Sequence, residues 1–275
     1  MNEPRRASLP RLTERIPLGE AQVSPFCVGM VEDPDTIAAA FEAGINFFFL
    51  TADMHWPRYE ASRAGLAQLL TRVPRDQITV AAAAYVTQPE FCSTPFEEVV
   101  QAVRGLERLD VLIAGGAYQA ELFNRLPIYR GHRERRFMGA HACGVSFHDR
   151  RAAADAITGG ELDVAFLRYN AAHPGAQRDV FPRLTAAHLR PRARVFGFTS
   201  TAGHDPHPAV DDDVWIPDLT DHYRFALSRI GLDGLLCSPT RPSHIADLAA
   251  AMAEGPLSLD EESHLIELAS RRRAP

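Results

Sequence analysis

Apolar, strand-like runs alternate with amphipathic helical stretches along most of this chain. Eight runs read as strands: PFCVGM, INFFFLTA, QITVAAAAYV, LDVLIAGGAY, RFMGAHACGVS, LDVAFLRYN, RVFGFTS and DGLLCSP. Helical stretches between them include DPDTIAAAFEAG, YEASRAGLAQLLTRV, PFEEVVQAVRGLER, DRRAAADAITGG and SHIADLAAAMAEG. Continuous apolar runs are typical of strands that are buried on both faces. Eight such units predict a closed (β/α)8 barrel. An open, doubly wound sheet is the alternative, but no GxGxxG follows the first strand.

Charge and the lengths of the apolar runs limit which partners and which cellular location we expect for this protein. The chain has 275 residues and a formal net charge of -6, which disfavours broad binding to nucleic acids or acidic membranes. No apolar run reaches the roughly 18 residues that span a bilayer, and the polar N-terminus lacks the apolar core of a signal peptide. We therefore expect a cytoplasmic protein without nucleic-acid or membrane partners. We also expect one domain over residues 1–275, with flexible tails at 1–14 and 271–275.

Two residue counts limit the chemistry. All 29 Lys or Arg positions are arginine, so the chain contains no lysine. Reactions that need a lysine amine are excluded, because arginine stays protonated at any working pH. The four cysteines form no CxxC pair, which indicates reduced thiols rather than a disulfide framework or a zinc site. The strand ends carry no HxH pair, and we expect no metal centre.

Active sites of such barrels lie at the carboxyl ends of the strands, and this rule selects the candidate catalytic residues. Asp53, His55 and Glu60 follow the second strand, and His148 follows the fifth. An imidazole of ordinary pKa is a competent proton donor or acceptor near neutral pH, so His55 is the first candidate. Carboxylates can orient a histidine or act as acid and base. We expect these four residues to carry acid–base chemistry.

Further strand-end residues are candidates for substrate binding. Trp56 follows the second strand and Tyr85 the third, while Arg168, Asn170 and His173 end or follow the sixth. If Tyr169 faces the helices, alternation along the strand directs Arg168 into the mouth, where it can bind an acidic group. The expected ligand is a small molecule or a peptide.

Four segments, in order, resemble the aldo-keto reductase superfamily. They are GINFFFLTAD, RRFMGAHACGVSFHDR, GGELDVAFLRYN and YRFALSRIGLDGLLCSPTRPSHIADL. The resemblance spans roughly residues 16–270 and implies an aldo-keto-reductase-like TIM barrel. It also implies an NADPH-dependent carbonyl reductase, in which a tyrosine donates a proton while a lysine, an aspartate and a histidine assist.

The resemblance places those four catalytic positions on other residue types. The aspartate position falls on Leu50, with one extra Phe just upstream, and the tyrosine position falls on His55. The lysine position falls on Ala83 or Ala84, and the histidine position falls near Gly115. This suggests a divergent member without the standard tetrad.

Some of the cofactor-binding positions implied by the resemblance carry the expected residue type and others do not. Ser146 matches a residue that holds the nicotinamide amide, while its usual asparagine neighbour is replaced by Phe147. Ser238 and Arg241 could meet phosphate oxygens. We expect either weak NADPH binding or no required cofactor.

Three functions remain open from the sequence. The first is a barrel enzyme repurposed for redox-neutral acid–base chemistry, such as elimination, cyclisation, isomerisation or hydrolysis. The second is an NADPH-dependent carbonyl oxidoreductase with His55 as the proton donor. The third is a non-catalytic binding protein. The substrate, the pathway and the oligomeric state are not predicted.

Overall fold

Eight parallel strands close into a barrel in the computed structural model, which describes residues 4–117, 119–131, 138–186, 192–208 and 214–271. The described residues form two further strands, β1 (Ile16–Leu18) and β2 (Ala21–Val23), which pair as an antiparallel hairpin. The eight barrel strands are β3 (Phe26–Val28), β4 (Phe47–Thr51), β5 (Thr79–Ala84), β6 (Leu109–Ala117), β7 (Met138–Phe147), β8 (Val164–Arg168), β9 (Arg194–Phe198) and β10 (Gly234–Cys237). The barrel runs from β3 to β10 in chain order, and β10 pairs with β3 to close it. The predicted (β/α)8 barrel is confirmed, and each of its strands overlaps one of the eight predicted runs, with only β7 extending one residue beyond its run, to Phe147.

Helices connect the strands and cover the barrel. They are α1 (Asp35–Glu42), α2 (Glu60–Leu69), α3 (Thr94–Ala102), α4 (Gln119–Gly131), α5 (Arg150–Gly159), α6 (Ala176–Asp179), α7 (Phe181–Ala186), α8 (Asp221–Leu227), α9 (Ser243–Glu254) and α10 (Leu259–Arg271). The ends of α5 show how the sequence sets their limits. The Asp149 carboxylate accepts hydrogen bonds from the N–H groups of Arg151 and Ala152, and Gly160 ends the helix with a φ of 77°.

A recurring Leu-Asp pair lies at the start of β6 (109–110) and directly before β8 (162–163) and β10 (232–233). Each aspartate accepts a hydrogen bond from a backbone N–H of the preceding strand. The donors are Val80 for Asp110 at 2.6 Å, Cys143 for Asp163 at 2.8 Å and Val195 for Asp233 at 2.8 Å. These carboxylates satisfy backbone donors near the amino ends of the strands, which strengthens the end of the barrel opposite the mouth.

The β1–β2 hairpin lies at that same amino-terminal end. Asn46, just before β4, donates to the Gln22 carbonyl at 2.9 Å, and Arg194 at the start of β9 donates to the Pro17 carbonyl at 3.0 Å. The hairpin therefore leaves the carboxyl ends of the strands uncovered.

Residues 4–14, expected to form part of a flexible tail, pack against the barrel instead. Arg5 forms an ion pair with Glu262 of α10 at 2.7 Å, and Leu9 and Leu12 are buried. The buried apolar area and the ion pair outweigh the entropy of a free tail. At the other end, Arg271 is the last residue of α10, and the rest of that expected tail lies outside the described residues.

Candidate active site at the barrel mouth

Strand register fixes which side chains point to the barrel axis, because directly paired residues on neighbouring strands face the same side. Phe47, Phe49, Phe166 and Phe196 share the inward face. Their rings meet across the barrel, with centroid distances of 5.4 Å for Phe49–Phe166 and 5.4 Å for Phe47–Phe196. The interior is therefore a packed aromatic layer, and a ligand can enter only above it, at the carboxyl ends of the strands.

The same alternation shows which way Leu50 faces, the residue at the position where the resemblance implies an aspartate. Phe49 points to the axis, so Leu50 faces the helix layer, where it is fully buried. On the neighbouring strand Ala83 shares the inward face, because it pairs with Thr51. With the extra Phe of GINFFFLTAD, an aromatic ring, that of Phe49, points to the barrel axis next to Leu50.

Tyr85 occupies the mouth directly after β5. Its ring lies against Gly115 so closely that a β-carbon there would stand 2.7 Å from a ring atom. The next residue, Gly116, has a φ of +58°, which side chains rarely adopt. Because the two glycines of LIAGGAY lack side chains, the Tyr85 ring can pack directly on their backbone. Tyr85 nevertheless remains 49% exposed.

His148 adjoins the same two glycines, and the Asp53 carboxylate lies near enough to Tyr85 to affect its ionisation. A β-carbon on Gly116 would lie 3.5 Å from the Tyr85 ring and 4.0 Å from Nε2 of His148, so both side chains border one point. Partial burial raises the pKa of Tyr85, and the nearby Asp53 carboxylate raises it further. We call Asp53, Tyr85 and His148 the Tyr85 cluster. The structure thus brings together three residues that the sequence places after three different strands.

Tyr59 is a second phenol at the mouth, and the sequence analysis missed it. The side chain is buried, and its ring contacts those of Phe49 at 6.3 Å and Trp56 at 5.8 Å. Burial raises the pKa of Tyr59, with smaller effects from Tyr85 and Cys27. The signal that could have found it is the WPRY turn, in which Pro57 opens a short 3-10 helix before α2.

His55 and Glu60 lie on another surface. They line a shallow cleft of about 520 Å³ between α2 and the end of α3, together with Arg63 and Ala102. The His55 backbone N–H donates to the Asp53 carboxylate at 3.1 Å, which fixes the turn. Tyr85 does not line this cleft. Trp56 is 42% exposed beside the turn.

The β8 side of the mouth is held by a buried amide. Asn170 donates to the Thr199 carbonyl at 2.9 Å and accepts from the His173 backbone N–H at 2.7 Å. Thr199 has a φ of 54°, uncommon for a β-branched residue. The Asn170 amide and His173 are thus engaged in the β8–β9 connection, whereas the side chain of Arg168 is exposed on the inward face.

A separate cleft of about 430 Å³ opens beside the start of α9. Ser238 and Thr240 line it, and Arg241 next to them donates to the His244 ring at 2.9 Å. Ser146 is half-buried on the inward face of β7, opposite Phe166. These groups match the predicted cofactor contacts in type.

The charges of this α9 cleft oppose a phosphate-rich cofactor. Asp218, Asp247 and Glu254 also line it, beside Arg241 and beside Arg224, which pairs with Glu254 at 2.9 Å. Carboxylates that face a bound pyrophosphate raise the free energy of binding it. The residues present therefore fit a dinucleotide poorly, although the hydroxyls could hold one phosphate.

Among the described residues, no group of three or more His, Cys, Asp or Glu side chains converges as metal ligands. Within the same residues, no helix combines the length and hydropathy that crossing a membrane requires.

Solved structures with a similar architecture include aldo-keto reductases. The Bacillus halodurans aldo-keto reductase AKR11C1, in its holo form, superposes with a TM-score of 0.71 at 12% identity over 93% of this chain and 96% of that one. PA4992 of Pseudomonas aeruginosa, assigned to the same reductases, gives 0.67 at 18% identity over 90% and 97%. No protein-family model matches the sequence, and no curated protein matches it. The chain thus has the aldo-keto reductase fold, and this degree of identity shows the fold alone.

Proposed function

We propose that the protein is a barrel enzyme that performs redox-neutral acid–base chemistry on a small molecule or peptide at its mouth. Elimination, cyclisation, isomerisation and hydrolysis all belong to this class. The observation that carries the proposal is the Tyr85 cluster, in which a phenol and an imidazole border one point above the aromatic layer.

The proposed roles follow from the protonation states. The raised pKa of Tyr85 keeps its hydroxyl protonated, so the phenol can donate a hydrogen bond to a substrate oxygen without losing its proton. His148 accepts the proton that leaves the substrate, as a general base. Asp53 disfavours ionisation of the phenol and so preserves the donor. We assign His55 and Glu60 no step, because they line the cleft between α2 and α3.

Two features favour this class over carbonyl reduction. A tyrosine that donates its proton during hydride transfer is normally activated by a neighbouring cation, which lowers its pKa. Here burial raises the pKa of both Tyr85 and Tyr59. The three carboxylates of the α9 cleft also disfavour an anionic dinucleotide.

NADPH-dependent carbonyl reduction is the second candidate. The inward position of Ser146 and the hydroxyl-lined cleft at Ser238 support it. In that case Ser146 would contact the nicotinamide amide and Arg241 a phosphate, and the cofactor would supply the hydride.

Titration with NADPH, followed by calorimetry and nicotinamide fluorescence, separates the candidates. We expect no saturable binding up to about 1 mM, an affinity limit of roughly −4 kcal/mol. Micromolar binding that Arg241→Ala and Ser146→Ala each weaken, with NADPH oxidation by a carbonyl compound, would overturn the proposal in favour of the reductase.

A further inference from the structure

A charged cleft lies on the rim of the barrel next to the Tyr85 cluster. It has a volume of about 430 Å³ and is lined by six residues around the start of α5 and the end of α6: His148, Asp149, Arg150, Arg151, Arg178 and Asp179. We call it the arginine cleft. It gathers three guanidinium groups in a protein whose formal net charge is -6.

Both carboxylates of the arginine cleft are engaged by neighbouring groups. Asp149 accepts from the Arg151 N–H at 2.8 Å and so caps α5. Asp179 accepts from Nε of Arg150 and from Nε of Arg178, each at 2.8 Å, and these bonds lower the pKa of Asp179. One carboxylate thereby orients two guanidiniums side by side. Because Asp179 carries a single charge, an excess of positive charge remains.

The arginine cleft is continuous with the proposed catalytic groups. His148 lines the cleft, and its Nε2 also approaches Gly116, on which the Tyr85 ring rests. Arg168, exposed at the end of the neighbouring strand β8, adds a further cation on this side of the mouth. A molecule that reaches Tyr85 can therefore place one end among the arginines.

We propose that the arginine cleft binds an oxyanion group of the substrate, a phosphate or a carboxylate, while the reacting end lies at Tyr85 and His148. Guanidinium forks recognise both oxyanions through paired hydrogen bonds. The proposal deepens the proposed function and rests on it for the position of the reacting end. It defines the substrate class as small acidic molecules.

Calorimetric titration with inorganic phosphate and, separately, with acetate at constant ionic strength tests the cleft directly. We expect saturable binding of at least one anion, weakened by roughly 10-fold or more in the double variant Arg151→Gln/Arg178→Gln, as loss of charge-assisted hydrogen bonds predicts. The matched control is Arg183→Gln, because Arg183 pairs with Asp155 at 2.5 Å on a nearby exposed surface. The anion that binds more tightly identifies the group that the substrate carries.

Either of two results would overturn the proposal: neither anion binds below about 50 mM, or the double variant binds as tightly as the control. The Tyr85→Phe variant distinguishes a failure of the arginine-cleft proposal from a failure of the proposed function. It should keep its anion affinity, because the phenol does not line the cleft. Anion binding without any acid–base activity would remove the proposed function and leave the cleft, whereas activity without anion binding would remove the cleft.

Discussion

The ring of Tyr85 rests on the backbone of Gly115, and the contact leaves no room for a β-carbon, which would stand 2.7 Å from the ring. This packing places the ring beside Gly116, which Nε2 of His148 also approaches. The geometry of the proposed catalytic pair therefore depends on a residue that has no side chain.

Gly115→Ala should displace Tyr85 and lower the stability of the fold. We expect a loss of about 1–3 kcal/mol, as for other overpacking substitutions, measured by urea unfolding. Gly131→Ala is the matched control, because a β-carbon there meets nothing within 4 Å. Equal stability of the two variants, with unchanged near-UV tyrosine signals, would show that the ring does not rest on Gly115.

Arg125 should be a principal support of the same region. Its fully buried guanidinium donates to the carbonyls of Ala84 at 3.2 Å and Gly115 at 3.2 Å, the residues next to Tyr85 and Gly116. Arg125→Met leaves these carbonyls without their donor, and we expect a loss of about 2–4 kcal/mol.

Arg125→Lys should be intermediate, because an ammonium cannot reach both strands in the way a planar fork does. The control is Arg130→Met on the exposed face of the same helix, where surface changes cost about 0.5 kcal/mol or less. If urea unfolding gives the same midpoint for Arg125→Met and Arg130→Met, Arg125 is not a support of the mouth.

His222 should make the fold sensitive to mild acid. The ring is 99% buried, and among the described residues neither ring nitrogen has a hydrogen-bond partner. Burial lowers the pKa of His222 to about 4, with a smaller effect from His204, which stacks edge-on at 5.3 Å. Because the folded pKa lies below the unfolded value of about 6.5, the unfolded chain binds more protons between these values. Stability is therefore fully present above pH 6.5 and falls as the pH decreases towards 4.

The loss attributable to His222 should approach roughly 3 kcal/mol at the acidic end of that window. Urea unfolding of the wild type at about pH 7 and about pH 5 should show the decline, and His222→Phe should flatten it. His207→Gln, at an exposed histidine, should retain the wild-type slope. An unchanged slope in His222→Phe would assign the acid sensitivity to other groups.

The sequence predicted the barrel strands more completely than the site, for physical reasons. Parallel strands covered on both sides need continuous apolar runs, and all eight were visible. Each of the five predicted helical stretches overlaps an observed helix, but α4, α6, α7, α8 and α10 were not predicted. In α4, Pro127 interrupts the helical pattern. Strands as short as β1 and β2 carry too few residues for a periodic signal.

At the mouth, the strand-end rule selected Asp53, Tyr85 and His148 among the candidates. It could not separate them from His55, because the direction of a loop side chain depends on a turn three residues long. That turn buries Tyr59 beside Phe49 and leaves His55 between α2 and α3. The orientation of these side chains is decided by tertiary packing, which leaves no periodic pattern in the sequence.

Deuterium exchange tests the central claim most directly. The protein would be incubated in D2O, without any nicotinamide nucleotide, with small carbonyl compounds that carry a phosphate or a carboxylate. Proton NMR and mass spectrometry would report exchange, isomerisation or elimination. We predict turnover of at least one compound, reduced about 100-fold or more in both Tyr85→Phe and His148→Gln, as for loss of an oxyanion donor or a general base. Turnover that appears only when NADPH is added and consumed, or that is unaffected by both substitutions, would contradict the account.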